Sequence, residues 1–368
     1  FYSNHFWIYV LFSLGLSAQF ITYALYRGYM NMVGANVFQL LGTAIIPIVV
    51  FTSVATINDG LFWIGSSVTI IMVIAFLFRN NGIHIAAITF FHQSKKLIIY
   101  GIERIPSFVA QFILLAGVPI LLAQKVNFES VAYFNSSLSL VRLSLIIVNP
   151  IGMVLLPRIS NIIASGRKSD VLKHLEIFFN TGIVISVIGT TYCYINAPLI
   201  LKIWLGEFSD SGVSILRLTI LSLPFYTFSG LTRSPIDAIS ERGYNSLIYG
   251  LAAVSMILLI ILGNNYGVEL LITALYSFLF SHILAGLLSA YYIQKLFKHW
   301  FFGFKLFRDI ILSILIMIVT SQIISMFNIA LLSQFFISST LFLLIAVMIF
   351  KYTKTGWVAE IKSKLYAK

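Results

Sequence analysis

Arg142 stands roughly nine residues, or about 14 Å, inside a long apolar stretch. Asn135, Ser139, Arg142 and Asn149 follow one another at spacings of four, three and seven, so in a helix they share one face. A fixed cation on a polar stripe is what an anionic ligand in a water-filled cavity requires. The same stripe also suits an interhelical hydrogen-bond seam in which Arg142 caps a neighbouring helix. Arg217 lies only about four residues inside its stretch, where it either meets the same ligand or snorkels to the surface. Gln19, Thr22 and Tyr26 form a second stripe, and Asn36, Gln39 and Thr43 a third. Each is read as a ligand-facing surface (Gln19, Tyr26, Asn36, Gln39) or as helix-packing glue. His282 is either a proton relay or a core histidine bonded to a nearby carbonyl.

Other chemistry is missing. None of the twelve carboxylates falls deep in an apolar stretch, where a cation-driven exporter would hold its cation. No Walker A sequence appears, so nothing points to ATP hydrolysis by this chain. The lone Cys193 has no internal partner for a disulfide, and no residue pattern suggests a catalytic centre or a metal site. No cofactor is expected, and coupling to H+ or Na+ stays open.

The elements that position these residues follow from composition. Hydrophobic residues make up 59% of the chain and charged residues 10%, with a mean hydropathy of +0.97. A soluble core needs no such apolar excess. A hydrocarbon layer of about 30 Å does, with roughly 20 helical residues per crossing. The apolar runs lack the alternation of barrel strands, so an all-α polytopic membrane protein is expected. Eleven crossings are predicted, at about 6–26, 34–52, 61–79, 107–124, 133–157, 175–195, 213–233, 245–263, 268–293, 308–327 and 330–350. Residues 81–106, with His84, His92, Lys95, Lys96, Glu103 and Arg104, read as an amphipathic linker on the membrane surface.

Lys and Arg segregate across these loops. One alternate set holds Arg27, Arg79, Lys95, Lys96, Arg104, Arg158, Arg167, Lys168, Lys173, Arg233, Arg242, Lys295, Lys298, Lys305 and Arg308, and the tail 351–368 is also basic. The other set holds only Lys125 and Lys202. The positive-inside rule places the first set and the tail in the cytoplasm. It also absorbs the net charge of +12, so nucleic acid is not expected as a partner. The external loop 196–212 is read as short, with at most a half-turn around Trp204.

VRLSLIIVNPIGMVLLPRISNIIASGRKSD (Val141–Asp170) carries Pro150, then Pro157-Arg158-Ile159-Ser160, then Arg167-Lys168. Ile203–Asn245 carries Trp204-Leu205-Gly206 and Leu216-Arg217, and Tyr26-Arg27-Gly28 closes the first crossing. These stretches resemble Wzx-type polysaccharide flippases of the multidrug/oligosaccharidyl-lipid/polysaccharide exporter superfamily. The resemblance implies a two-lobed, MATE-like bundle of 14 helices, with three N-terminal spans missing from this chain. It divides the chain into a partial N-terminal lobe (1–80), the linker (81–106), a six-helix lobe (107–294), two further spans (295–350) and the basic tail (351–368). On that template Arg27, Arg104 and Arg233 take the place of a cytoplasmic gate.

What the resemblance implies is a flippase, not an enzyme, in a bacterial cytoplasmic (inner) membrane. Its cargo would be a polyprenyl-pyrophosphate-linked oligosaccharide for O-antigen, lipopolysaccharide or exopolysaccharide biosynthesis. Membrane lipids, and a polysaccharide polymerase and chain-length regulator, are the expected partners. A cation-coupled multidrug exporter of the same fold is the alternative, and a membrane enzyme of polysaccharide assembly a third. The charge segregation carries a topological prediction. Lys354→Cys is expected to resist impermeant thiol reagents on intact cells and Lys125→Cys to react; external labelling at 354 would overturn the orientation.

Overall fold

The computed structural model describes residues 5–28, 31–79, 98–144, 168–326 and 331–352, with Lys95 and Ile159 besides. Among the described residues all regular structure is helical, and nine helical segments are long and apolar enough to cross a membrane. The chain divides into two compact units, Phe1–His92 and Gln93–Lys368.

The first unit holds α1 (Phe6–Gly28), α2 (Met32–Leu40), α3 (Ile46–Ser53) and α4 (Ile57–Arg79). Between α2 and α3 the helix continues as a π turn, Leu41–Ile45, so Val33–Ser53 forms a single span. Pro47, in the first turn of α3, explains the slip. It has no N–H for the carbonyl four residues back, and the ladder changes register, with Ile46 N–H bonding Leu41 O. At this turn the Gln39 carbonyl accepts from Thr43 Oγ1 (2.7 Å) and from Gln19 Nε2 of α1 (3.3 Å). Thr56 and Asp59 cap the start of α4, the Asp59 N–H donating to Thr56 Oγ1 at 3.1 Å. The interior is built on Ile46, Ile64, Val68 and Met72, with Phe12 and Phe38 against them. α1 and α4 approach closely at Gly15 and Gly65. A Cβ on Gly65 would lie 2.8 Å from the backbone of Phe12, and one on Gly15 would lie 2.8 Å from Gly65 O.

The second unit begins with α5 (Ile105–Lys125) and α6 (residues 128–144). It continues through α7 (Lys168–Ile195), α8 (Ala197–Leu205), α9 (Asp210–Ile220), α10 (Leu223–Ile239) and α11 (Tyr244–Asn265). α12 (Leu270–Phe297), α13 (Phe304–Met326) and α14 (Leu331–Tyr352) complete it. α12 packs against α5, α10 and α11, while α7 packs against α10, α13 and α14. Aromatic contacts lock these layers. Phe134 meets Phe278 edge-on at 5.2 Å, joining α6 to α12, and Phe179 of α7 touches both Phe228 and Phe301. Tyr192 and Ser339 share a 2.6 Å hydrogen bond that ties α14 to α7.

Several expectations need revision. The 213–233 crossing is two helices, interrupted at Leu221–Ser222. Pro224 withholds the N–H that Ile220 O would accept, and Ser222 turns inward, its Oγ on Thr219 O at 2.7 Å. The 196–212 loop contains α8, a nine-residue helix stopped by Gly206 at φ 85°. The described end of the linker, 98–102, is helical and leads into α5 across a turn at Glu103–Arg104. Residues 145–158, which hold Pro150 and the rest of the 133–157 crossing, lie outside the described residues. His282 is buried, bonds Phe278 O of its own helix through Nδ1 (2.9 Å) and stacks on the Phe278 ring at 4.2 Å.

The close approach at Gly65 is testable. Gly65→Ala is expected to cost about 1–3 kcal/mol, because backbone rather than a flexible side-chain end stands in the way. Gly101→Ala, whose Cβ would meet nothing within 4 Å, is expected to be neutral or stabilising. Thermal unfolding in detergent checks the pair, and equal effects would contradict the packing.

Candidate functional site

The polar residues that come together lie in the second unit, on one face of α10. Tyr226, Arg233 and Asp237 are spaced by seven and four, so they line up along the helix over about 16 Å. Their partners come from α5, the turn before it and α11. Arg233 is half-buried. It donates to Gln111 Oε1 of α5 at 3.0 Å and lies over the Phe108 ring at 4.8 Å. Asn245 of α11 bonds the Arg233 carbonyl at 3.0 Å, and the Tyr249 hydroxyl donates to Ser229 O at 3.1 Å.

At the far end of this face Arg104 Nε lies 3.4 Å from Asp237 Oδ1, their side chains 12% and 19% exposed. The two atoms are buried and meet as an ion pair without hydrogen-bond geometry. Arg104 also donates to Ser240 O (3.3 Å), Glu241 O (3.4 Å) and Tyr100 O (3.1 Å). Next to it, the Gly243 N–H donates to Glu103 Oε2 at 2.9 Å and Ser246 Oγ bonds the Glu103 carbonyl. Arg104 therefore clasps the start of α5 to the α10–α11 turn.

Arg142 itself is exposed. One guanidinium nitrogen, Nη2, donates to Leu115 O of α5 at 3.2 Å. A guanidinium carries five N–H donors, so this bond leaves most of its capacity for a ligand. Asn135 is exposed and Ser139 half-buried on the same helix, with Ser139 Oγ bonded to Asn135 O at 2.9 Å. Asn149 lies outside the described residues, so three members of the predicted stripe are placed. Arg217 sits elsewhere, on α9. Its Nε donates to Tyr194 O at 3.2 Å and its guanidinium lies 5.2 Å from the Tyr194 ring.

In the first unit Gln19 is buried, 5% exposed, with its amide on the Gln39 carbonyl. Thr22 is buried between Ala18 O and Met72 O. Tyr26 stacks on Phe38 at 4.9 Å, while Asn36 and Gln39 are exposed. Arg27 closes α1, and its side chain lies outside the described residues.

Gln111, Tyr226, Asp237, Asn245 and Tyr249 were not among the sequence candidates. The signal that could have found three of the face's members was the seven-and-four spacing of Tyr226, Arg233 and Asp237. Among the described residues no three His, Cys, Asp or Glu side chains gather as a metal site would need. The arrangement can neutralise an anion at Arg142 and Arg233 and offer hydroxyl and amide groups beside it.

Neither the known protein families nor the curated proteins contain a sequence match to this chain. Among solved structures, the lipid II flippase MurJ in an inward closed conformation is similar, with a TM-score of 0.62 over 93% of this chain and 72% of that one. Identity is 17%, so the likeness is one of fold. The chain is a multi-pass, all-helical membrane protein whose fold resembles that of this flippase.

Proposed function

We propose that this chain is a flippase for a polyprenyl-pyrophosphate-linked oligosaccharide, working by alternating access in a bacterial cytoplasmic membrane to supply cell-surface polysaccharide. The observation that carries this reading is the cationic face of the second unit, where Arg233 and Arg142 bond Gln111 Oε1 and Leu115 O, one turn apart on α5. Moving such a cargo requires a diphosphate and a string of sugars to cross hydrocarbon while the prenyl tail stays in lipid. Guanidinium groups suit the diphosphate because their planar donors match its oxygens and they never lose their charge. Gln111, Asn135 and the tyrosine hydroxyls suit the sugars. The likeness to a lipid II flippase supports a lipid-borne cargo.

In this proposal Arg104 and Arg233 belong to the cytoplasmic gate, and the basic tail lies in the cytoplasm. A polysaccharide polymerase and a chain-length regulator are the neighbouring machinery. A cation-coupled multidrug exporter of the same fold would need a membrane-depth carboxylate for its cation. The described residues do supply Asp237, but Arg104 already occupies it, which favours the flippase.

The test is complementation of a strain lacking its polysaccharide flippase, with surface glycan as the readout and membrane abundance as the control. The full-length protein is expected to restore glycan. Arg233→Ala is expected to reduce export by about 10- to 100-fold, the loss of one charge-assisted hydrogen bond, and Arg233→Lys to recover part of it. Normal export by Arg233→Ala, or by Arg142→Ala at normal abundance, would remove that arginine from the mechanism. Drug efflux without glycan export would overturn the reading.

A further inference from the structure

Three described prolines withhold an N–H from a carbonyl that a neighbouring helix then reaches. Pro119, inside α5, cannot donate to Leu115 O, and Arg142 Nη2 of α6 takes that carbonyl at 3.2 Å. Pro198, at the start of α8, cannot donate to Tyr194 O, and Arg217 Nε takes it at 3.2 Å. Pro224, at the start of α10, cannot donate to Ile220 O, and Thr190 Oγ1 approaches it at 3.5 Å while holding Ser186 O at 2.8 Å. Both arginines set within the apolar stretches therefore serve proline breaks. At membrane depth a freed carbonyl needs such a donor, since no bulk water replaces it.

The Arg142 bond differs from the other two in its surroundings. Arg142 is exposed, and among the described contacts it holds α5 through one hydrogen bond, to Leu115 O, whereas Arg217 is half-buried and also lies on the Tyr194 ring. A phosphate-type anion offers charged, paired oxygens against one neutral carbonyl, so it out-competes Leu115 O for the guanidinium. Once the guanidinium has left, Leu115 O is orphaned, and α5 loses the contact that closes its ladder at Pro119.

We infer that Arg142 is a latch on the Pro119 break in the α5 ladder, closed when its guanidinium holds Leu115 O and released when a diphosphate-type anion takes the guanidinium. Occupancy of the site and the conformation of α5 at Pro119 are then coupled, because the anion binds the unlatched form better than the latched one. The anion's part in this rests on the proposed function; the latch itself does not.

Two measurements on the full-length protein separate these claims. The first is a double-mutant cycle on thermal unfolding, with no anion present. Arg142→Ala is expected to lower the midpoint by several degrees. Pro119→Ala restores an N–H at position 119, and in that background Arg142→Ala is expected to cost less than half as much. Additive losses would overturn the latch. The second uses Cys193→Ser protein labelled at Lys125→Cys and Tyr266→Cys, exposed positions at the end of α5 and between α11 and α12. Inorganic pyrophosphate is expected to shift the distance between the labels, and Arg142→Ala to abolish the shift. Pyrophosphate that binds without moving the labels would overturn the coupling. Pyrophosphate that fails to bind would count against the proposed function and take the coupling with it, while the cycle still decides the latch.

Discussion

A helix in hydrocarbon must satisfy every backbone N–H and C=O within protein, and the rest of this molecule is arranged around the places where it cannot do so alone. Prolines and a π turn open the ladders of several spans, and side chains from adjacent helices close the gaps. Gln19 reaches the Gln39 carbonyl beside the π turn, Arg142 reaches Leu115 O, and Arg217 reaches Tyr194 O. Tyr249 and Asn245 place similar bonds on the Ser229 and Arg233 carbonyls of α10. These contacts do what apolar packing does not do between lipid-facing helices: they specify which helix lies beside which.

That requirement explains why polar residues here have two uses. Arg142 satisfies a backbone carbonyl and still presents donors outward; Arg233 bonds Gln111 and also lies over the Phe108 ring. A cation at membrane depth is costly by itself, and a carbonyl or amide partner lowers that cost. Helix-to-helix bonding and outward-facing charge are therefore layers of one arrangement in this chain.

The sequence made the class of fold legible, because 20-residue apolar runs admit few alternatives. It also held the arginine stripe, since a 3.6-residue period needs no tertiary information. The break at Leu221–Ser222 was readable from Pro224, but hydropathy averages across such a break and reports one span. α8 escaped for the opposite reason: nine residues are too short to register as a crossing, although Pro198 and Gly206 bracket it as start and stop. The partner of each freed carbonyl was beyond reach. Pro119 marks Leu115 O as an orphan by counting back four residues, yet only the packing of α6 on α5 names Arg142 as its donor. Asp237 looked like a loop acid until the fold brought Arg104 beside it, more than a hundred residues away in sequence.

The interruption between α9 and α10 has a mechanical meaning. Bending a continuous helix stretches its ladder, so the work grows with angle; at Ser222 the ladder already ends and restarts, and Thr219 O is held by the Ser222 hydroxyl whichever way the two halves point. The segment is thus two shorter helices joined at residues 221–222. α9 is moored to α7 through Arg217 and Tyr194, while α10 carries the tyrosine, arginine and aspartate of the polar face. The end fixed to α7 and the end that bears the polar face are separate lengths of ladder, and a helix divided in this way is softer at the join than an unbroken one.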